Sequence, residues 1–167
     1  LLSAAAQLPQ YHFVFAGPHN AYAADLAARA AKEEMTNVEF VFDPTRAEAL
    51  ALYQRAAAKG HAPAMHNVAN TLVNGEAGRV DLDAARELYR AAAERGHADS
   101  MASLGRMYEE GRGVTRNFAE AVRWYRAAAE QGNAQSQACL GGMLFEGTGI
   151  LLDKTEAVMW FRKAAEQ

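Results

Sequence analysis

The sequence predicts a mainly α fold: an α-solenoid of helix-turn-helix repeats with a 36-residue period, preceded by a small N-terminal β-α-β segment. Three observations predict it. Tyr53, Tyr89, Tyr125 and Phe161 recur every 36 residues. The pairs Ala56-Ala57, Ala92-Ala93, Ala128-Ala129 and Ala164-Ala165 follow them at three and four residues, and Gly60, Gly96 and Gly132 at seven. Residues 1–44 stand outside this register and carry a different pattern. Self-similarity at a fixed period of this size marks a stacked-repeat architecture, in which each unit buries its apolar face only against its neighbours.

The front segment reads as two strands around a helix. YHFVFAG, 11–17, is a short β-rich run ending at Gly17-Pro18. HNAYAADLAARAAKEEM, 19–35, is helical, with Tyr22, Leu26 and Ala30 on one face. Thr36-Asn37 breaks that helix, VEFVFD, 38–43, forms a second strand, and Pro44 closes it. Two strands joined through a helix should be parallel with a right-handed crossover.

The repeat region, 45–167, divides into about three units of two helices each. In the first helix of a unit, Ala98, Met101, Leu104, Gly105 and Tyr108 share one face. Gly111 ends that helix, as glycine does just past a helix C-terminus. The second helix starts near Asn117, which is suited to N-capping, and Asp81 and Asp153 take the same role in the neighbouring units. Ala121, Trp124, Tyr125, Ala128 and Ala129 form its apolar stripe, and Gly132 ends it. Where two such helices cross closely, one side must be small, so the alanine pairs and the Gly105-type position let the backbones approach while Tyr, Trp and Leu fill the space beside them.

Composition and charge narrow the function. The formal net charge is −3, which argues against nucleic acid as a partner. Residues 1–44 hold Arg29 and Lys32 against Asp25, Glu33, Glu34, Glu39 and Asp43, and from residue 45 onward fifteen basic residues balance fifteen acidic ones. The single cysteine, Cys139, allows neither an intramolecular disulfide nor a multi-cysteine metal site. It favours a reducing compartment such as the cytoplasm, with the periplasm as the alternative. No apolar run approaches the roughly 20 residues of a membrane helix. LLSAAAQL lacks the basic flank of a signal peptide, and the start on Leu1 suits an excerpt of a longer sequence.

The pattern WYRAAAEQGNA, then LG, then FEGTG, then DKTEAVMWF resembles the Sel1-like repeat, a relative of the tetratricopeptide repeat, over roughly residues 45–167. The first unit matches loosely at Asn70-Thr71-Leu72 and Gly75-Glu76-Ala77-Gly78. The resemblance implies a right-handed solenoid that scaffolds protein complexes, often in bacterial signalling and cell-envelope assembly, with no shared catalytic activity. Residues 1–57 also resemble part of the C-terminal domain of GT-B glycosyltransferases: a strand ending in AGP, a helix, NVEF, and LALYQRAA as a following element. The Arg/Lys phosphate-binding segment and the acidic donor-sugar region of those enzymes are absent here. The glycosyltransferase fragment is therefore the alternative, and protein scaffolding without catalysis or cofactor is the main reading.

The remaining polar residues separate into structural and functional candidates. His61 and His97 are repeat-equivalent, with Asn133 in the third unit, which points to a turn position. His61 and His66 are five apart, not the i, i+4 spacing that aims two imidazoles at one metal, so no metal site is expected. GRGVTRN and GGMLFEGTG lack the G-K-[ST] ending of a phosphate loop and read as turns. Cys139 reads as an inert thiol, and Trp124 and Trp160 as core. Asn67, Asn70 and Asn74 fall at i, i+3 and i+7 on a first helix, with Ser103, Arg106 and Glu110 as their repeat equivalents. In stacked helix pairs this face lines the concave surface. Asparagine amides can pair with an extended peptide through both donor and acceptor. These six residues are the expected protein-binding strip for a protein or peptide partner. Met159, Trp160 and Phe161 have no following helix pair in this sequence, which predicts either self-association through the C-terminal end or a natural chain that continues.

Overall fold

The computed structural model describes residues 13–17, 38–42, 46–76 and 78–167. The chain divides into two compact units, Leu1–Leu52 and Tyr53–Gln167. In the first, strands β1 (Phe13–Gly17) and β2 (Val38–Phe42) pair in parallel, with Phe13 opposite Val38 and Gly17 opposite Phe42. The helix expected at 19–35 and the turns at Pro18, Thr36-Asn37 and Pro44 lie outside the described residues. The β-α-β unit as a whole therefore stays a sequence expectation.

Helix α1 (Arg46–Ala58) leads into the repeat unit. Three helix pairs follow: α2 (Ala62–Val73) with α3 (Leu82–Ala93), α4 (Ala98–Glu110) with α5 (Phe118–Glu130), and α6 (Ala134–Glu146) with α7 (Lys154–Ala165). The second helices start where the sequence places them. Asp81 Oδ1 accepts the Ala84 amide (3.1 Å), Asn117 Oδ1 that of Glu120 (3.1 Å), and Asp153 Oδ1 those of Thr155 and Glu156 (2.9 Å each). Each satisfies a backbone donor that the helix itself leaves without an acceptor.

The equivalent position before the first helices shows why His61, His97 and Asn133 substitute for one another. All three are N-caps. The Nδ1 atoms of His61 and His97 accept the amides of Ala64 (3.2 Å) and Ser100 (3.3 Å), the role played by Asn133 Oδ1 toward Ser136 (2.8 Å). Gly111 and Gly147 end α4 and α6 in the left-handed conformation, at φ 71° and 73°.

The core repeats with the sequence. Ala69, Ala85, Tyr89, Ala93, Leu104 and Ala128 are packed together, and Ala121, Tyr125, Ala129, Leu140, Leu144, Ala157 and Trp160 form the next layer. A Cβ on Gly105 would stand 2.7 Å from the Tyr125 ring, and one on Gly141 would stand 2.9 Å from the Phe161 ring. The missing side chains are what let an aromatic ring lie flat on the neighbouring helix. At the last helix the pattern opens. Val158 is 54% exposed and Phe161 41%, whereas their counterparts Val122 and Tyr125 are buried.

Candidate functional site

A groove of about 250 Å³ is lined by α2, α4, α5 and the start of α6. Asn70, Ser103 and Arg106 line it, so half of the expected strip converges there. Ser103, Arg106 and Glu110 also border a shallower recess beside Tyr89 and Arg112. Asn67 and Asn74 line neither hollow. Asn74 caps the end of α2 and donates from Nδ2 to Glu76 Oε1 (3.3 Å).

The strip is less uniform than its spacing suggests. Ser103 is 8% exposed, and Asn70 is half-buried. The Tyr89 hydroxyl donates to Asn70 Oδ1 at 2.6 Å. Burial pushes the Tyr89 phenol above its ordinary range, so it stays protonated and the bond stays made. Asn70 therefore has its Nδ2 donors, and one remaining lone pair on Oδ1, for a ligand. Arg106 is exposed, and among the described residues no carboxylate lies within ion-pair distance of it.

Two acids accept hydrogen bonds from side chains that line the groove. Asp99 Oδ1 accepts from Asn133 Nδ2 at 2.8 Å, and Glu109 Oε2 accepts from the Tyr125 hydroxyl at 2.6 Å. Burial, reinforced by that bond to Glu109, raises the Tyr125 phenol well above its usual range. One wall is built by His66. Its Nδ1 lies 3.1 Å from Ser100 Oγ, and that oxygen lies 2.9 Å from His97 Nδ1. Because His97 Nδ1 already accepts the Ser100 amide, the Ser100 hydroxyl donates to His97, and His66 donates to Ser100. Desolvation by burial lowers the His66 pKa. The charges of His97 and Arg106 lower it further, and Asp99 opposes them.

His66, Asp99, Asn133 and Gln135 belong to the groove but not to the strip read from the sequence. A signal was present in the repeat. Cross-unit contacts join residues 34 apart, as in His66–Ser100 and Asp99–Asn133, or 30 apart, as in Arg126–Glu156 and Gln137–Gln167, rather than the 36 that separates equivalent positions. Among the described residues no group of three or more His, Cys, Asp or Glu side chains could hold a metal ion. No helix among them is long and apolar enough to cross a membrane. Burial, followed by the charge of Glu109, raises the pKa of the Cys139 thiol, which keeps it protonated and weakly nucleophilic.

The same architecture recurs in solved structures. A protective antigen present in uropathogenic Escherichia coli strains, displaying an SLR fold, is 40% identical, with a TM-score of 0.68 over 71% of this chain; the chain spans 25% of that protein's length. A Sel1 repeat protein from Oxalobacter formigenes is 33% identical, with a TM-score of 0.66 over 71% of this chain and 89% of the other. Cysteine-rich protein B of Helicobacter pylori, 20% identical with a TM-score of 0.58 over 70% of this chain and 89% of the other, shares the fold. No curated protein matches the chain. Nothing in these matches supports the resemblance of residues 1–57 to a glycosyltransferase domain. The Sel1 repeat pattern matches four times, at 43–61, 62–97, 98–133 and 134–167. Each full match begins at a first helix, and the match at 43–61 contains only the second helix of a unit, α1. By repeat, by cap and by fold, the chain belongs to the Sel1 repeat family.

Proposed function

We propose that this array is a protein-interaction scaffold that holds an extended peptide segment of its partner in the groove lined by α2, α4, α5 and the start of α6. Sel1 repeats generally serve protein–protein interaction and are typically not enzymes. The observation that carries the reading is Arg106, an exposed guanidinium with no ion-pair partner among the described residues, in a groove whose lining acid, Asp99, accepts a hydrogen bond from Asn133. A carboxylate on the bound segment complements it, and the free Nδ2 of Asn70 supplies a donor to a main-chain carbonyl beside it.

The test follows from the different duties of the two residues. Asn70→Ala would strip the acceptor from the buried Tyr89 hydroxyl and cost stability, so it does not isolate binding. Arg106→Ala is the clean probe, because exposed substitutions usually move stability by less than about 0.5 kcal/mol. Peptides selected by phage display on the wild-type array should bind Arg106→Ala at least about tenfold more weakly, with an unchanged melting temperature. Selected peptides that bind both proteins equally would remove the groove from the mechanism.

A further inference from the structure

A second hollow, about 430 Å³, lies on the other side of the second repeat, between α3 and the loop that joins α4 to α5. The loop is held in place from several directions. The Arg112 amide donates to Met107 O (3.0 Å), and the Asn117 amide to Tyr108 O (2.9 Å). Gly113, at φ 66°, presses so close to α3 that a Cβ there would stand 2.6 Å from Leu82 Cβ. Arg86 ties the two walls together: its Nη1 donates to Gly113 O (3.0 Å) and to Asp83 Oδ1 (2.9 Å), and its Nε and Nη2 donate to Glu87 Oε1 (3.2 Å each). Arg86 is thus spent on structure, and it takes both nearby acids with it.

Two other guanidiniums line the same hollow without such commitments. In the next repeat, Arg126 reaches across to Glu156 at 2.7 Å, and that carboxylate also accepts from Trp160 Nε1 at 3.0 Å. The counterparts one unit earlier are Arg90 and Glu120. Glu120 instead pairs with Arg123 on its own helix, at 3.3 Å, and Arg90 has only a distant contact of 4.0 Å to Glu87. Arg116 is exposed, with its guanidinium 5.3 Å from the Phe118 ring centre and no carboxylate within ion-pair distance among the described residues. The fold does not require a cation there: the equivalent residue of the next unit is Leu152. The Thr115 hydroxyl stands beside Arg116. Asn117 uses Oδ1 to cap α5, which leaves its Nδ2 as a donor.

The hollow therefore holds three guanidiniums against one lining carboxylate, that of Glu87, whose Oε1 is taken by Arg86, and Tyr108 and Val114 add apolar surface. The geometry points to a second docking site, for an acidic peptide segment whose carboxylate sits between Arg90 and Arg116 and whose aliphatic stem lies on Val114 and Tyr108. One unpaired and one weakly paired guanidinium in one hollow suit a carboxylate and its neighbours, and they do not form the basic stripe that a nucleic-acid backbone needs. The site is separate from the groove and does not depend on it.

The test uses the ¹⁵N-labelled full chain and three probes: the peptide Glu-Glu-Tyr-Glu-Glu, its Gln-Gln-Tyr-Gln-Gln counterpart, and inorganic phosphate. The acidic peptide should shift the amide resonances of Val114, Thr115 and Arg116. The variant carrying Arg90→Gln and Arg116→Gln should bind it at least about tenfold more weakly, while its spectrum and melting curve stay those of a folded protein. The glutamine peptide should leave these resonances in place. Equal shifts from both peptides, shifts that survive in the variant, or shifts confined to the Arg106 groove would each overturn the assignment. Phosphate binding as tight as the acidic peptide would reduce the hollow to a simple anion site and refute a peptide role.

Discussion

Substituting alanine for two helical glycines should move stability in opposite directions. Gly105 lies in α4, with the ring of Tyr125 where its Cβ would be: Cδ1 at 2.7 Å, Cε1 at 2.8 Å and Cγ at 3.0 Å. That ring cannot retreat, because it is buried among Ala121, Leu140 and Leu144 and its hydroxyl is fixed on Glu109. Gly142 lies in α6, and a Cβ there meets nothing within 4 Å. Both substitutions gain the same helix propensity, about 1 kcal/mol. The difference between them isolates the clash, which for a rigid core costs about 1–3 kcal/mol. Gly142→Ala should therefore stabilise by up to about 1 kcal/mol, and Gly105→Ala should lose up to about 2 kcal/mol. Gly141→Ala should fall between them: its Cβ meets Phe161 at 2.9 Å, but that ring is partly exposed and can swing aside. Urea unfolding followed by circular dichroism measures all three, and each kcal/mol corresponds to about 2–4 °C in melting temperature. Combining Gly105→Ala with Tyr125→Leu should recover part of the loss, a coupling that a double-mutant cycle reads directly. If Gly105→Ala proves as stable as Gly142→Ala, close helix approach at this position is not what holds the repeat together.

Gly96→Val should destabilise by more than about 1 kcal/mol, although the site is open in space, because φ is 81° and β-branched residues avoid that region; Gly96→Asn, which tolerates the left-handed region, should lose less, and equal melting temperatures for the two would remove the backbone argument. His66 should make stability depend on pH. Burial, with help from His97 and Arg106 and against Asp99, lowers its folded pKa below the ordinary 6.5, so the unfolded chain binds the proton more readily. The stabilisation is complete above pH 6.5 and is lost as pH falls from there through the folded value. Melting temperatures taken from about pH 7.5 to 5 should fall more steeply for the wild type than for His66→Gln, and parallel curves would show that His66 is not the titrating group.

The division of the chain into stacked helix pairs was legible because it is written locally. The 36-residue period, the capping Asp81, Asn117 and Asp153, and the terminating Gly111 each act within one helix or its adjoining turn. Their meaning does not change with what lies across the core. Gly105 was legible as a close-approach position for the same reason, since only a missing side chain explains a glycine in the middle of an apolar face.

The binding surfaces were a different matter. The asparagine ladder at 67, 70 and 74 has regular spacing, yet only Asn70 faces the groove, and its carbonyl already accepts from Tyr89. His97 read as a turn residue and proved to be an imidazole cap, tied through Ser100 to His66. Arg90 lacks the cross-unit partner that Arg126 has, because Glu120 pairs with its own helix where Glu156, one unit on, reaches back to Arg126. What the sequence determined by itself was each helix, its ends and its buried face, because propensity, capping and periodicity are properties of a short stretch of chain. What only the tertiary structure decided was which polar side chains meet across units and which are left free. That depends on the rotation and offset between stacked pairs, which bring residue i to i+34 or i+30 rather than to its repeat equivalent, and no local pattern specifies them.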